Sequence, residues 1–257
     1  MISLKNKIVC ITGASSGIGE ACAIEFAKQG SALLLLARRK ERIDKIVQDI
    51  SGRFKIRVHT IRLDVRRQAD VEKSFASLPR EWQEIEVLVN NAGLSRGLDP
   101  LHKGRLEDWE EMIDTNIKGL LYVTRAVLPG MVQRNKGHVI SLGSAAGHQT
   151  YPGGNVYCAT KYAVKALNRG MKMDLLGTNV RVTSVDPGLV QTEFSEVRFH
   201  GDTGRAKQVY AGMTPLSPED IADIILFCAT RPPHVAIQEL IVTPTDQAHS
   251  TMVHRRK

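Results

Sequence analysis

What the chain lacks narrows it first. No apolar run approaches the roughly 18 residues that a membrane helix needs. The longest, at 32–37 and 221–229, are short, and the second carries Asp223. The opening residues, Met-Ile-Ser-Leu-Lys-Asn-Lys, lead straight into an apolar strand pattern. They lack the cationic region, apolar core and cleavage site of a secretory leader, so the expected location is cytoplasmic, with no membrane partner. There are only 4 cysteines, Cys10, Cys22, Cys158 and Cys228, with no C-x-x-C pair and no zinc-ligand spacing. A disulfide framework is excluded, no metal site is suggested, and buried free thiols are the expectation. Aromatic residues make up 5% of the chain, and none interleave with its basic stretches.

The balance of charge is +8. It is scattered in short groups such as Arg38-Arg39, Arg66-Arg67 and Arg255-Arg256, without a base-reading motif, so a nucleic-acid partner is not expected. A solvated surface and a small anionic ligand account for it. With 42% hydrophobic and 24% charged residues, the composition is that of a globular protein and excludes disorder and collagen-like repeats. No internal repeat, low-complexity tract or linker interrupts it. One domain over 1–257 is expected.

Along the chain, apolar runs alternate with helical patterns. Strands are expected over 7–12, 32–37, 55–61, 84–89, 137–142, 179–185 and 239–242. Helices are expected over about 17–29, 39–50, 67–77, 106–134, 156–176 and 218–230. Gly30 closes the first helix, and Ser217 followed by Pro218 opens the last. Continuous runs such as Ala-Leu-Leu-Leu-Leu-Ala read as parallel strands buried on both faces. The pattern predicts an α/β fold, a doubly wound parallel sheet of about seven strands with helices on both faces. The stretch 189–216 is irregular, mixing Phe194, Phe199 and Tyr210 with Arg198, His200, Arg205 and Lys207, and reads as a substrate lid.

Between the first strand and first helix stands Thr12-Gly-Ala-Ser-Ser-Gly-Ile-Gly19. Gly13 permits a tight turn, Gly17 lets a phosphate approach the backbone, and Gly19 lets helix and strand pack closely. The free N–H groups and partial positive charge of the helix start suit a pyrophosphate. Ser15, Ser16 and Ile18 belong to the same cofactor site. The second strand ends Ala37-Arg38-Arg39, where an NAD enzyme would offer a carboxylate to the ribose. Arg38, beside Arg39, can instead grip a 2′-phosphate, so NADP is the expected cofactor.

Tyr157 and Lys161 stand four apart on one face of a predicted helix. A lysine ammonium beside a phenol lowers its pKa toward neutrality, which suits general acid–base work. These pieces fall in an order that resembles the short-chain dehydrogenase/reductase family over essentially the whole chain. The matches are Thr12-Gly-x3-Gly-Ile-Gly19, Asp64-Val65, Asn90-Asn-Ala-Gly93, Asn116, Ser144, Tyr157-x3-Lys161 and Pro187-Gly188. The resemblance implies a Rossmann-type sheet, an oxidoreductase acting on CH–OH groups, and a homotetramer built on the helices at 106–134 and 156–176.

It also implies roles. Tyr157 is the acid/base at the substrate oxygen, and Ser144 holds that oxygen. Lys161 binds the nicotinamide ribose and tunes Tyr157, and Asn116 anchors a proton-relaying water. Asp64 and Val65 border the adenine, and Asn90, with Ala92 and Gly93, positions the adenosine side. Val190 and Thr192, after Pro187-Gly188, fix the carboxamide.

Residues 88–94, 107–116, 125–131, 153–157 and 192–202 are similar to the NADP-dependent 3-hydroxy acid dehydrogenases, the group acting on L-allo-threonine, serine and 3-hydroxypropionate. A lid over such a substrate must not bury its carboxylate unpaired. Arg198 is the expected partner, with Gln149 and Tyr151 adding hydrogen bonds; Arg205, Lys207 and His200 are rivals. A reductase of 3-oxoacyl groups or neutral ketones would use the same catalytic set. A non-catalytic NADP-binding regulator is the third reading.

Overall fold

The computed structural model describes residues 2–256. Its elements alternate as the sequence pattern requires: β1 (Ile8–Thr12), α1 (Gly17–Lys28), β2 (Ala32–Ala37), α2 (Lys40–Arg53), β3 (Val58–Arg62), α3 (Gln68–Ala76) and β4 (Ile85–Asn90). Then come α4 (Leu106–Ile113), α5 (Leu120–Gln133), β5 (Gly137–Leu142), α6 (Asn155–Asp174) and β6 (Val180–Pro187). Two short helices, α7 (Phe194–Arg198) and α8 (Thr203–Tyr210), precede α9 (Pro218–Ala229) and β7 (Glu239–Val242). All seven strands join one sheet in the order β3-β2-β1-β4-β5-β6-β7, and every pairing is parallel.

Alternation along the strands sorts the core into two layers. Val9, Ile11, Leu33 and Leu35 face one side, where they pack with Phe26 of α1, Ile43 of α2 and Ile221 and Ile225 of α9. Ile8, Cys10, Leu34 and Leu36 face the other, with Val71 of α3 and Val123 and Val127 of α5. Burial on both faces is why these strands read as unbroken apolar runs. All four cysteines are free and buried within this framework.

Two expectations change. The expected single helix over 106–134 is broken by a π turn, Asp114–Gly119, which carries Asn116. Such widened turns cluster at functional sites, and periodicity alone does not betray them. The lid at 189–216, expected to be irregular, contains α7 and α8, with Asp202 capping the latter through Arg205 N. Their brevity hides any helical period. At α9 the reading holds in detail: Ser217 and Asp220 form a reciprocal capping box behind Pro218.

Because the strand order reverses between β1 and β4, their carboxyl ends diverge and open a crevice. Among the described residues, no helix is long and apolar enough to cross a membrane. Phe26 is fully buried between α1 and the sheet. Phe26→Ala is expected to cost about 3–5 kcal/mol, read as a lowered urea midpoint with an unchanged slope.

Candidate active site

A cleft of about 760 Å³ runs along the carboxyl ends of the strands. Its floor at the switch point is tied by β1 and β4. Thr12 Oγ1 accepts from Asn91 N (3.0 Å) and Ala92 N (2.9 Å), while Asn91 Nδ2 donates to Thr12 O (2.9 Å) and Gly13 O (3.2 Å). Gly13 turns the chain at φ +65°, and a Cβ at Gly19 would strike the Gly13 carbonyl and Asn91. Gly19 therefore serves packing and lies behind the cleft wall, whereas Gly13, Ser15, Ser16, Gly17 and Ile18 line it.

Ser16 makes no side-chain cap on α1, so it does not block the first-turn N–H groups, and its hydroxyl instead accepts from Arg39 Nη2 at 2.8 Å. Arg39 also reaches Ser15 (3.3 Å) and Glu193 of the lid (3.2 Å). Arg38 is exposed at the cleft edge, and among the described residues its ion partner is Glu111 at 3.9 Å. An open helix start, a glycine turn that crowds out side chains and an exposed arginine at the end of β2 fit a phosphorylated dinucleotide.

Asp64, Val65, Ala92, Gly93, Pro187, Gly188, Val190 and Thr192 all line the cleft. Asp64 is held by Arg66 at 2.6 Å; hydrogen bonds and the charge of Arg66, outweighing burial, keep its carboxyl below the usual range. Asn90 is not at the cleft. Its side chain points into the core and donates to Thr124 Oγ1 at 2.8 Å, because alternation on β4 sends Asn90 inward and exposes Asn91. Sequence reading chose the wrong member of this pair.

Tyr157 is buried at 8% exposure and Lys161 at 6%, one turn apart on α6. Lys161 Nζ donates to Leu142 O at 2.8 Å and lies 5.9 Å from the Tyr157 ring centroid. Burial lowers the Lys161 ammonium to about 8 against the pull of the Asp186 carboxylate. For Tyr157, burial is the larger effect and pushes the hydroxyl up, reinforced by Tyr151 and opposed by a hydrogen bond with Ser144 and the charge of Arg198. The lowering expected from Lys161 is not what sets this hydroxyl; burial dominates, and sequence spacing cannot register it. Ser144 lines the cleft, with its Oγ accepting from Ala146 N at 3.1 Å.

Asn116 is buried behind the cleft rather than lining it. Its Oδ1 accepts from Leu94 N and its Nδ2 donates to Leu94 O, both at 2.8 Å, and Nδ2 also reaches Thr160 Oγ1 at 3.0 Å. The Asn116 side chain thus clamps the Leu94 backbone to α6.

On the substrate side, Arg198 extends from α7 into the cleft, donating through Nε to Ser95 Oγ (3.0 Å) and through Nη2 to Tyr151 OH (2.8 Å). The rivals are placed elsewhere: His200 meets Asp108 at 3.1 Å, Arg205 stacks on Phe199, and neither Arg205 nor Lys207 lines the cleft. Gln149 does not line it either, because its Oε1 accepts from Ser250 N at 3.0 Å. It fixes the C-terminal segment, whose Ser250, Thr251, Val253 and Arg255 form a cleft wall. That segment follows β7, which brings it to the cleft.

Below the cleft, His148, Asp186 and Glu239 bring their ligand atoms within 4.8 Å of one another. Lys165 Nζ lies 2.7 Å from His148 Nδ1 and 3.3 Å from Glu239, which Arg169 also meets at 3.0 Å. These two cations offset the acids, so the cluster reads as an internal ion network. Asp186 sits so close to Gly143 that a Cβ there would overlap Oδ1.

The chain belongs to the short chain dehydrogenase family, whose model matches residues 7–202. It is 48% identical over 251 residues to the NADP-dependent 3-hydroxy acid dehydrogenase YdfG of Escherichia coli K12, covering 97% of this chain and 100% of that protein. Sulfoacetaldehyde reductase 2 of Chromohalobacter salexigens is 46% identical, covering 95% of this chain and 96% of that one. The closed form of a serine dehydrogenase complexed with NADP+ superposes with a TM-score of 0.90 at 47% identity, over 97% of this chain and 100% of that chain.

Lys161 predicts a pH dependence. Its proton is lost near 8 in the folded chain, against an ordinary lysine value of 10.5. Between those values the unfolded chain holds more protons, so stability attributable to Lys161 rises with pH. Relative to Lys161→Met, the native chain is expected to gain up to about 3 kcal/mol as pH climbs through this window, read as converging or crossing melting temperatures. A constant difference between the two would contradict it.

Proposed function

We propose that this chain is an NADP-dependent oxidoreductase of small 3-hydroxy acids, among them L-allo-threonine, serine and 3-hydroxypropionate, which it oxidises to 3-oxo acids or semialdehydes and regenerates in reverse. The observation that carries this reading is the meeting of Tyr157 with a lid arginine, Arg198, in one dinucleotide-shaped cleft. The serine and 3-hydroxy acid dehydrogenase relatives support it.

NADP, when bound, supplies the hydride acceptor or donor. The turn from Gly13 through Ile18 and the open start of α1 would hold its pyrophosphate, with Arg38 and Arg39 at the 2′-phosphate. Asp64 and Val65 would flank the adenine, with Ala92 and Gly93 further along the cleft. Pro187, Gly188, Val190 and Thr192 would lie against the carboxamide.

Tyr157 exchanges a proton with the substrate hydroxyl oxygen, which Ser144 also holds. Lys161 binds the ribose hydroxyls, and Asn116 fixes the Leu94 backbone that shapes this end of the site. Arg198, with Tyr151 beside it, pairs with the substrate carboxylate, so that closing the cleft does not strand a bare charge. A sulfonate-bearing aldehyde offers Arg198 the same kind of anion. Bulky neutral ketones and carrier-bound 3-oxoacyl groups do not use it, and a purely regulatory role leaves Ser144, Tyr157 and Lys161 without purpose.

The proposed organisation is one domain over 1–257 with its lid at 189–216, in a cytoplasmic homotetramer. Leu121 and Val132 of α5 and Tyr162 and Met173 of α6, all exposed, support assembly through those helices.

The test is absorbance of reduced nicotinamide with NADP+ or NAD+ against L-serine, L-allo-threonine, 3-hydroxypropionate and neutral secondary alcohols, with sulfoacetaldehyde and NADPH for the reverse direction. NADP-linked turnover with kcat/KM strongly favouring the anionic substrates over the slower neutral alcohols is expected; turnover of the neutral alcohols alone would reject the reading. Tyr157→Phe is expected to lower kcat by about 10²–10⁴-fold with NADPH affinity, measured by fluorescence, near normal. Arg38→Asp should reverse the ratio of kcat/KM for NADP+ over NAD+, and an unchanged ratio would place the phosphate site elsewhere.

A further inference from the structure

Arg198 has a relation to Tyr157 that its pairing with a substrate anion does not require. Its guanidinium carbon lies 5.3 Å from the Tyr157 ring centroid, nearer than the Lys161 nitrogen at 5.9 Å. It is held there by two neutral hydroxyls, Ser95 and Tyr151, so no carboxylate among these partners offsets its charge. The aromatic walls are shared: Phe194 meets Tyr157 edge-on at 5.6 Å and lies 5.4 Å from the guanidinium.

The backbone carrying it is clamped as well. Gly97 N donates to Arg198 O at 2.9 Å, and Arg96 bridges Val197 O (2.5 Å) and Glu111 (2.6 Å). A long, flexible side chain gains this much support only at an entropic cost, which a surface charge would not incur.

We infer that Arg198 is an electrostatic positioning residue for Tyr157, so that a lid residue, and not only Lys161 on the same helix, governs proton transfer at the tyrosine hydroxyl. This rests on the reading of Tyr157 as the proton-transfer group. The groups facing Tyr157 are Ser144 beyond β5, Tyr151 in the following loop, Cys158 and Lys161 on α6, and Phe194 and Arg198 on α7. Only Lys161 and Arg198 carry positive charge. Lys161 is partly engaged elsewhere, donating to Leu142 O, and faces the buried Asp186 carboxylate. Among the described residues, the side-chain partners of Arg198 are the hydroxyls of Ser95 and Tyr151, and none is a carboxylate. Its charge favours the phenolate, against the burial that favours the phenol.

A consequence follows for substrate choice. A substrate carboxylate paired with Arg198 offsets the charge that Tyr157 feels, whereas a neutral alcohol leaves it in force. Anionic and neutral substrates are therefore processed by tyrosines of different acidity in the same protein.

The experiment compares the full-length enzyme with Arg198→Lys and Arg198→Met, using NADP+ and 2-butanol, which has no carboxylate. The acid limb of kcat/KM against pH is expected to move upward by about one pH unit or more in Arg198→Met and to stay near its original position in Arg198→Lys. A limb that does not move in Arg198→Met overturns the inference. Tyrosinate absorbance of each enzyme with NADP+ bound, minus that of its Tyr157→Phe counterpart, reads the same ionisation without turnover. Ionisation of Tyr157 at an unchanged pH in Arg198→Met overturns the inference equally. KM for 3-hydroxypropionate reports the carboxylate role separately. Raised KM with an unmoved limb removes this inference and leaves the proposed function; a moved limb with unchanged KM does the reverse.

Discussion

The tie between Thr12 and Asn91 is the constraint on which the site depends. Parallel strands whose order reverses at β1 and β4 splay at their carboxyl ends, and nothing in the ladder itself fixes the width of that gap. Four hydrogen bonds between the Thr12–Gly13 and Asn91–Ala92 segments fix it. They use the Thr12 hydroxyl and the Asn91 amide to satisfy backbone groups that the ending strands leave unpaired. The glycine turn, the start of α1 and the 92–94 loop all take their positions from this knot. Through Leu94, so does the Asn116 clamp, which reaches across to Thr160 on α6 beside Lys161.

Beyond the knot, the site is a balance of burial against charge. Burial alone would leave Tyr157 a firmly protonated phenol and draw Lys161 toward neutrality. Asp186 restores part of the lysine's charge, and it fits there only because Gly143 has no side chain. Ser144 and Arg198 restore part of the tyrosine's acidity. Each correction comes from a different element: β6, the loop after β5 and the lid. The protonation of Tyr157 and Lys161 is therefore a property of the assembled cleft.

The lid joins the two ends of the cleft. Glu193 at its start is held by Arg39 and by Arg42, at 3.2 and 2.5 Å, beside the glycine turn. Arg198 lies at the substrate end, and His200 is fastened to Asp108 of α4. A single stretch thus touches the part of the cleft suited to cofactor phosphates and the part suited to an anionic substrate. Arg39, which lines the cleft, also holds this segment through Glu193.

Much of this was legible in the sequence because it is local. Apolar runs, the glycine spacing, the Ser217 cap before Pro218 and the four-residue step from Tyr157 to Lys161 each depend on neighbours along the chain. So the sheet, its helices, the glycine turn and the family were readable. Failures came where partners are distant. Which of Asn90 and Asn91 faces the cleft depends on strand alternation at one register. Gln149 is taken up by Ser250, a hundred residues away. The π turn and lid helices are too short to leave a period. The sequence by itself determined which chemical groups are available and in what order. Only the tertiary structure decided which of them are buried together, and burial in a low-dielectric cleft sets how strongly each charge acts on its neighbours.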